Sequence, residues 1–251
     1  MNHQLKNILM YVLAVAVILF EMRRYLKKKK IHFFSIALLV CMAVVSIVKS
    51  FFLDFYIVPT ASMSPTIHSG DLTLSLPYKD RRDKLYRGDV VIFHPSAFPS
   101  FIYVKRIVGV AGDTVSFNTN KEILVNRKPV RIEKEKNNFN IIYEGIQDRD
   151  GKTYQYMTDR NKPFVEPIYT TWHVPDGYVF VMGDNRDNSW DSRYWENPVG
   201  TPKELRGLLP TKNIISRYME TAINIPFFKE DFDFGRLGLN IMGDAQKKGE
   251  K

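Results

Sequence analysis

The sequence predicts a mainly β protein in which two N-terminal transmembrane helices precede an antiparallel β-sheet domain that carries a smaller β insertion. Two long apolar runs lie within the first 54 residues of the 251-residue chain. From Phe55 onward, short segments rich in β-branched and aromatic residues alternate with Gly, Pro, Asn and Asp, as is typical of strands and turns. Long helical periodicity is missing there, which excludes an alternating βαβ chain.

The two apolar runs are predicted to anchor the chain in a membrane over residues 1–54. The first span is expected at about 5–22 and the second at about 31–53, where Ile31–Val48 contains no Lys, Arg, Asp or Glu. The first run also resembles a cleavable signal peptide, but the EMRRY that follows it lacks the small residues of a cleavage site. Two retained spans are therefore expected.

The basic loop between the runs, residues 23–30, sets the predicted orientation. Six of its eight residues are Lys or Arg, and such loops stay on the cytoplasmic side. The chain from about Asp54 onward is then expected on the outer face. Because residues 1–54 carry +6 of the formal net charge of +9, the basic excess belongs to the anchor and argues against a nucleic-acid partner.

The β-sheet domain is predicted to comprise residues 55–118 and 172–242. Residues 119–171 are richer in Lys, Glu, Asn and Asp and are expected to form the inserted β subdomain, while 243–251 resembles a flexible polar tail. One short helix is expected near Pro202–Gly207. Seven segments have the strand pattern: 71–78, 89–95, 101–110, 113–118, 122–130, 178–184 and 213–220.

Metal and disulfide chemistry is not expected. A single cysteine excludes an intrachain disulfide and a Cys-rich zinc module. The polar segment Gly183–Trp195 has the density of a calcium loop, but Ser189 stands where an EF-hand requires glycine and Trp195 stands at its twelfth position. A scaffold of mutually bonded carboxylates, guanidinium groups and amides fits this segment better.

Two further segments are chemically unusual for a β domain. Residues 58–67 combine four hydroxyl side chains with two prolines, which usually means only a turn. Lys105 lies in an otherwise apolar strand beside Arg106, and alternation places the two cations on opposite faces. If Lys105 is buried, desolvation lowers its pKa and yields a neutral amine able to accept a serine proton. The alternative is an edge strand from which both cations reach water.

The three segments, in this order behind two apolar runs, resemble the bacterial type I signal peptidases. The resemblance rests on SMSPT at 62–66, YVKRIVG at 103–109 and GDNRDNSWDSR at 183–193, and it extends from the second span to about residue 217. It implies a membrane-bound endopeptidase of the bacterial inner (plasma) membrane, with its catalytic domain on the outer face. No cofactor is implied.

The resemblance also implies catalytic roles. Ser62 matches the nucleophile, and Lys105 matches the general base. The oxyanion hole would be formed by the backbone N–H of Ser62 and the hydroxyl of Thr60, where many relatives have serine. Ser189 matches the residue that orients the lysine. The matching structural support consists of Asp191 and Arg193 as an ion pair, with Gly183 and Asp184 in the turn behind them.

The implied substrates are exported preproteins, cleaved after small residues in an Ala-x-Ala-like pattern and bound as an added strand. The lipid bilayer is the second expected partner, contacted by aromatic residues that include Phe98 and Phe101. The residues that match the walls of the substrate pocket are Val58, Met63, Ile67, Tyr103 and Val104, although core packing explains each of them equally well.

Competing functions make different demands on the sequence. A Ser-His-Asp triad would need His68, His94 or His173, none of which lies in a recognisable nucleophile motif. A self-cleaving repressor would carry a DNA-binding domain where this chain has apolar runs. A specialised processing peptidase of the same superfamily and a catalytically inactive, membrane-tethered binding domain remain as alternatives, although Ser62 and Lys105 are both present.

Overall fold

The structure, a computed structural model, describes residues 53–78, 84–117, 122–130, 132–136, 140–146, 151, 153–159, 161–163 and 167–224, together with positions 16, 19, 20, 23, 37, 40 and 41. Apart from these positions, the predicted spans 5–22 and 31–53 and the basic loop 23–30 lie outside the described residues, as does the tail 243–251. Within the described part of the chain, no helix has the length and apolar character needed to cross a membrane.

The chain divides into two compact units, residues 1–53 and 54–251. The second unit contains every strand of the described residues. In chain order the strands are β1 Asp54–Val58, β2 Asp71–Pro77, β3 Val90–Phe93, β4 Tyr103–Gly109, β5 Thr114–Phe117, β6 Ile123–Val125, β7 Lys128–Pro129, β8 Ile132–Lys136, β9 Asn140–Ile146, β10 Thr153–Asp159, β11 Thr171–His173, β12 Tyr178–Met182, β13 Leu209–Pro210 and β14 Ile214–Asn224.

The strands form three antiparallel sheets, so the predicted mainly β antiparallel fold is confirmed. The largest sheet has seven strands in the order β1-β2-β14-β3-β4-β12-β13. A four-stranded sheet has the order β11-β5-β6-β7, and a three-stranded sheet has the order β10-β9-β8. The short helix expected near Pro202–Gly207 is a single 3-10 turn, Lys203–Leu205.

The stretch predicted as an insertion, 119–171, supplies strands to two different sheets. Its first part forms β6 and β7, which join β5 and β11 from the flanking chain. Residues 122–130 were expected to form one strand, but Asn126 and Arg127 adopt φ values of 53° and 66° and turn the chain into a hairpin. The three-stranded sheet β8–β10 is formed entirely within the insertion.

Packing on both faces of the large sheet explains why its central strands are almost inaccessible. Successive residues of β12 alternate between two apolar clusters: Val179 and Val181 belong to one, and Phe180 and Met182 to the other. The ring of Phe180 lies 4.8 Å from that of Trp172, which belongs to the four-stranded sheet. In the neighbouring β4, the residues from Lys105 to Gly109 are therefore buried whichever face they lie on.

Candidate active site

The turn that contains Ser62 follows β1 and is fixed by its own backbone and by the core. Ser64 N donates to Ala61 O at 3.1 Å, and Ile67 N donates to Met63 O at 3.0 Å. Met63 and Ile67 are fully buried in a cluster with Val58 and Val90. These anchors on one side of the turn hold Ser62 in a fixed position, with only 8% of its surface exposed.

Lys105 lies opposite Ser62 on β4, which is an interior strand between β3 and β12. Lys105 and Arg106 are 5% and 4% exposed, so the alternative of an edge strand with both cations in water is wrong. The Lys105 Nζ donates to Ser62 Oγ at 2.8 Å across 43 residues of sequence. The structure thus brings together the serine and the lysine that the sequence singled out.

Burial dominates the protonation of this amine. It lowers the pKa of Lys105 from the ordinary value of 10.5 to about 8. The carboxylates of Asp191 and Asp184 favour the charged form and oppose this shift, while the Arg193 guanidinium acts in the same direction as burial. A substantial share of the amine is therefore neutral near pH 8 and can accept the Ser62 proton.

Gly183 lies between the serine turn and the polar segment. A Cβ at this position would overlap the Ser189 side chain and would lie 2.5 Å from the Ser62 carbonyl oxygen. Glycine therefore permits the close approach of the two segments. The Ser189 hydroxyl is buried but has no partner with full hydrogen-bond geometry among the described residues, although it helps to lower the pKa of Asp191. Its predicted contact with Lys105 stays a prediction.

Asp191 and Arg193 form a buried bidentate ion pair, with Nε–Oδ1 and Nη2–Oδ2 distances of 2.8 and 2.9 Å. Gly183 N also donates to Asp191 Oδ2 at 3.0 Å. Burial alone would raise the pKa of Asp191, but the charge and hydrogen bonds of Arg193 hold it below its ordinary value. The pair thus fixes the strand end that faces Ser62.

A second buried ion pair, which the sequence reasoning missed, lies on the other face of β4. Arg106 Nε and Nη2 donate to Asp184 Oδ1 and Oδ2 at 2.8 and 2.6 Å. Thr66 Oγ1 donates to the same carboxylate at 2.6 Å, which links it to the serine turn. The sequence did contain a signal for this pair, since Arg106 directly follows Lys105 in YVKRIVG. Two charged residues on opposite faces of one buried strand both need partners, so a carboxylate near Arg106 could have been predicted.

Asn185 is a further contact that the sequence did not single out. Its backbone N donates to Ser62 O at 3.0 Å, and its Nδ2 donates to Ala61 O at 3.2 Å. The polar segment therefore contacts the main chain of Ala61 and Ser62 directly. Only a tertiary structure reveals which amide of a polar run makes this contact.

The remaining predicted site residues lie in different surroundings. Thr60 is exposed, and its Oγ1 lies 3.3 Å from Ser62 Oγ. Of the predicted pocket walls, Val58, Met63 and Ile67 are buried in the core. Tyr103 and Val104 are half-buried, and the ring of Tyr103 lies 5.7 Å from Lys105 Nζ. Substrate contacts by these five residues stay a prediction.

The histidines of the described domain have other contacts. His94 Nδ1 lies 3.0 Å from Phe101 O, and His173 Nδ1 lies 3.1 Å from Thr114 Oγ1. Ser62 Oγ instead contacts Lys105 and Thr60.

In the described ranges no group of three His, Cys, Asp or Glu residues is placed to hold a metal ion. A serine hydroxyl in contact with a buried amine is an arrangement that could serve a serine hydrolase with an amine as its base.

Comparison with known proteins gives the family. A family model described as signal peptidase, peptidase S26, matches residues 30–222. Signal peptidase I from Pseudomonas fluorescens and from Pseudomonas aeruginosa are each 32% identical over 213 residues, covering 78% of this chain and 74% of their own length. Signal peptidase I S from Bacillus subtilis is 31% identical over 186 residues, 72% of this chain and 88% of that protein. The chain belongs to the signal peptidase family, peptidase S26, which confirms the family and the peptidase activity predicted from the three motifs.

The burial of Lys105 predicts the pH dependence of cleavage. Only the neutral amine accepts a proton, so kcat/KM should rise with pH and reach half its plateau near pH 8, the pKa of Lys105 in the free enzyme. The measurement is a pH profile of kcat/KM for cleavage of a preprotein by the full chain in detergent. A half-maximal point near 10.5, or activity that is constant from pH 6 to pH 10, would contradict a buried lysine base.

Proposed function

We propose that this chain removes the signal peptides of exported preproteins, with Ser62 as the nucleophile and Lys105 as the general base. The observation that carries the proposal is the 2.8 Å contact between Lys105 Nζ and Ser62 Oγ in a site where burial lowers the pKa of the amine to about 8. A serine hydroxyl becomes an effective nucleophile when a base within hydrogen-bond distance accepts its proton.

This geometry supports a reaction in two stages, acylation of Ser62 and hydrolysis of the resulting ester. Ser62 Oγ attacks the scissile carbonyl carbon while its proton passes to Lys105 Nζ, and the Lys105 ammonium then donates that proton to the leaving amine as the C–N bond breaks. The Ser62 N–H and the Thr60 hydroxyl stabilise the oxyanion that forms in between. Water then attacks the Ser62 ester while one of its protons passes to the Lys105 amine. As the acyl C–O bond breaks, the Lys105 ammonium returns that proton to Ser62 Oγ, which restores the free serine and the neutral amine.

Substrate binding by strand addition is supported by the position of β1. This strand is an edge of the seven-stranded sheet among the described residues, and it ends at Val58, four residues before Ser62. An extended peptide that added to this edge would bring its next carbonyl toward the nucleophile. Val58, Met63, Ile67, Tyr103 and Val104 would then limit the side chains accepted beside the scissile bond to small ones.

Membrane attachment completes the proposal. Residues 1–54 would form a two-span anchor, residues 55–118 and 172–242 the catalytic domain on the outer face, and 119–171 the insertion. Phe98 and Phe101, which are 50% and 61% exposed and pack edge to face at 6.4 Å, would contact the bilayer. Water-exposed aromatic pairs of this kind favour a membrane interface.

Replacing either member of the dyad should abolish turnover. In detergent, Ser62→Ala removes the attacking oxygen and Lys105→Ala removes the base, so cleavage of a preprotein should fall to background in both, whereas His94→Ala and His173→Ala should retain most of the wild-type kcat. Product amounts and the sequenced cleavage site report the result, and cleavage after a small residue separates signal peptide removal from other processing.

A Thr60 variant that lacks the hydroxyl should show a partial loss of activity in the same assay. Loss of one oxyanion donor typically lowers kcat by about 10²–10³-fold, so Thr60→Val should do this with little change in KM, while Thr60→Ser should stay close to wild type. An active Lys105→Ala variant would overturn the dyad, and an unaffected Thr60→Val variant would remove this hydroxyl from the oxyanion hole.

Bilayer contact is tested with the domain that lacks the anchor, residues 54–251, which is a compact unit of its own. We expect this domain to float with lipid vesicles and the variant Phe98→Ser/Phe101→Ser to remain with the soluble protein, because two exposed rings are lost. Val199→Ser, which also removes a fully exposed apolar side chain, is the control and should still float. Flotation of the double variant at the wild-type level would exclude this contact.

A further inference from the structure

The inserted three-stranded sheet contacts the catalytic domain through its outer strand, β10. Met157 N donates to Asp184 O at 2.8 Å, and Met157 also forms an isolated parallel bridge with Asn185. Two residues further on, Asp159 N donates to Asp187 Oδ2 of the same segment at 2.8 Å. β10 therefore runs along the polar segment 184–187.

Two tyrosines of β10 stack on buried arginines of the catalytic domain. The Arg106 guanidinium lies 4.0 Å from the centroid of the Tyr154 ring, and the Arg186 guanidinium lies 3.8 Å from that of Tyr156. Both tyrosines and both arginines are less than 9% exposed. A cation on a ring face is attracted most strongly when the pair is removed from water, as it is in these two stacks.

The Tyr154 ring occupies space that is left free by a glycine on the neighbouring strand of the insertion. Tyr154 pairs across the sheet with Gly145 of β9, and a Cβ at 145 would overlap the Tyr154 ring. A glycine in the interior of a strand weakens the sheet unless something must approach closely. The space left by Gly145 thus places the Tyr154 ring against Arg106.

The second stack joins the Arg186 guanidinium to the Tyr156 ring. None of the three guanidinium nitrogens of Arg186 has a hydrogen-bond partner within the described residues, although all three are buried. Burial of a guanidinium is costly without compensation, and the Tyr156 ring face supplies the compensation that this part of the structure contains. The backbone oxygen of Arg186 accepts a hydrogen bond from Arg193 Nη2, so the stack also reaches the Asp191–Arg193 pair.

Both stacks are connected to Ser62 through the segment 184–186. Arg106 binds Asp184 through two hydrogen bonds, and Arg186 lies two residues further along. Between these two fixed points lies Asn185, whose N and Nδ2 hold Ser62 O and Ala61 O. A shift of the segment 184–186 would therefore move the main chain of Ser62 relative to Lys105.

We propose that Tyr154 and Tyr156 are positioning residues for the reaction: the inserted sheet clamps Arg106 and Arg186 and so holds Ser62 in register with Lys105. The inference rests on the proposed function and extends it to a part of the chain that contributes no group to the chemistry. The clamp acts on the geometry of the dyad and leaves substrate binding and the protonation of Lys105 unchanged.

The test replaces each tyrosine ring, that of Tyr154 or Tyr156, by an apolar side chain without a ring. Cleavage of a preprotein by the full chain in detergent is then measured. Tyr154→Leu and Tyr156→Leu should each lower kcat by about tenfold, which corresponds to loss of one desolvated stack, with KM within about twofold of wild type. Tyr154→Phe keeps the ring and should retain the wild-type kcat. Gly145→Ala, which displaces the Tyr154 ring without removing it, should resemble Tyr154→Leu.

Two controls separate positioning from general loss of structure. Tyr169→Leu removes a tyrosine that packs on Trp172 in the core of the four-stranded sheet, at a ring distance of 6.1 Å, and should leave kcat unchanged well below the unfolding temperature. In the Leu variants of the clamp, the half-maximal point of the pH profile should stay near that of wild type. A shift of that point, a loss in Tyr154→Phe equal to that in Tyr154→Leu, or unchanged kcat in both Leu variants would overturn the clamp.

The two proposals fail differently. An active wild type, an inactive Ser62→Ala variant and fully active Leu variants would overturn the clamp alone. Cleavage of the preprotein by Ser62→Ala would overturn the proposed function, and the clamp with it. A rise in KM at constant kcat in the Leu variants would mean that β10 contributes to substrate binding, which also contradicts positioning.

Discussion

The desolvation of Lys105 is the constraint on which the rest of the site depends. An ammonium group in water would hold its proton near neutral pH and could not activate a hydroxyl. β4 lies between two packed strands, and both of its faces are covered, so the amine loses its hydration and its pKa falls to about 8. The same packing places Nζ 2.8 Å from Ser62 Oγ. The core that stabilises the sheet therefore also lowers the pKa of an amine that contacts Ser62.

Two carboxylates, Asp191 and Asp184, oppose the effect of burial on this amine, and unpaired carboxylates would oppose it more strongly, since negative charge favours the ammonium form. Each is paired instead: Asp184 with Arg106, and Asp191 with Arg193. The Arg193 guanidinium offsets part of the field of the carboxylates at Lys105. Asp191 also accepts a hydrogen bond from Gly183 N, and Asn185 N donates to Ser62 O, so the paired segment is fixed against the serine turn. Buried ion pairs contribute little net stability in general, so their value at this site lies in geometry and in charge balance.

Sequence reasoning predicted the sheet from local strand patterns, whereas the pairing of Ser62 with Lys105 was predicted from the resemblance of three motifs to a known family. Alternation in β4 puts Lys105 and Arg106 on opposite faces, and one of them had to meet packed material; the structure buries both because β4 is interior, and strand order is a long-range property. The hairpin at Asn126 was missed because its turn lacks the usual glycine. Asn185 and the β10 tyrosines could not be found, since their partners are distant in sequence and nothing in the residues themselves specifies the pairing.

The most direct test of a neutral amine beside Ser62 is a titration of Lys105 itself, observed by NMR in the full chain with ¹³Cε-labelled lysine. The Lys105 signal is assigned as the one that disappears in Lys105→Arg. The account predicts a midpoint at about 8, well separated from the other lysines. A Lys105 signal that titrates with the solvent-exposed lysines near 10.5 would contradict it, because the amine would then be charged throughout the range in which the enzyme has to act.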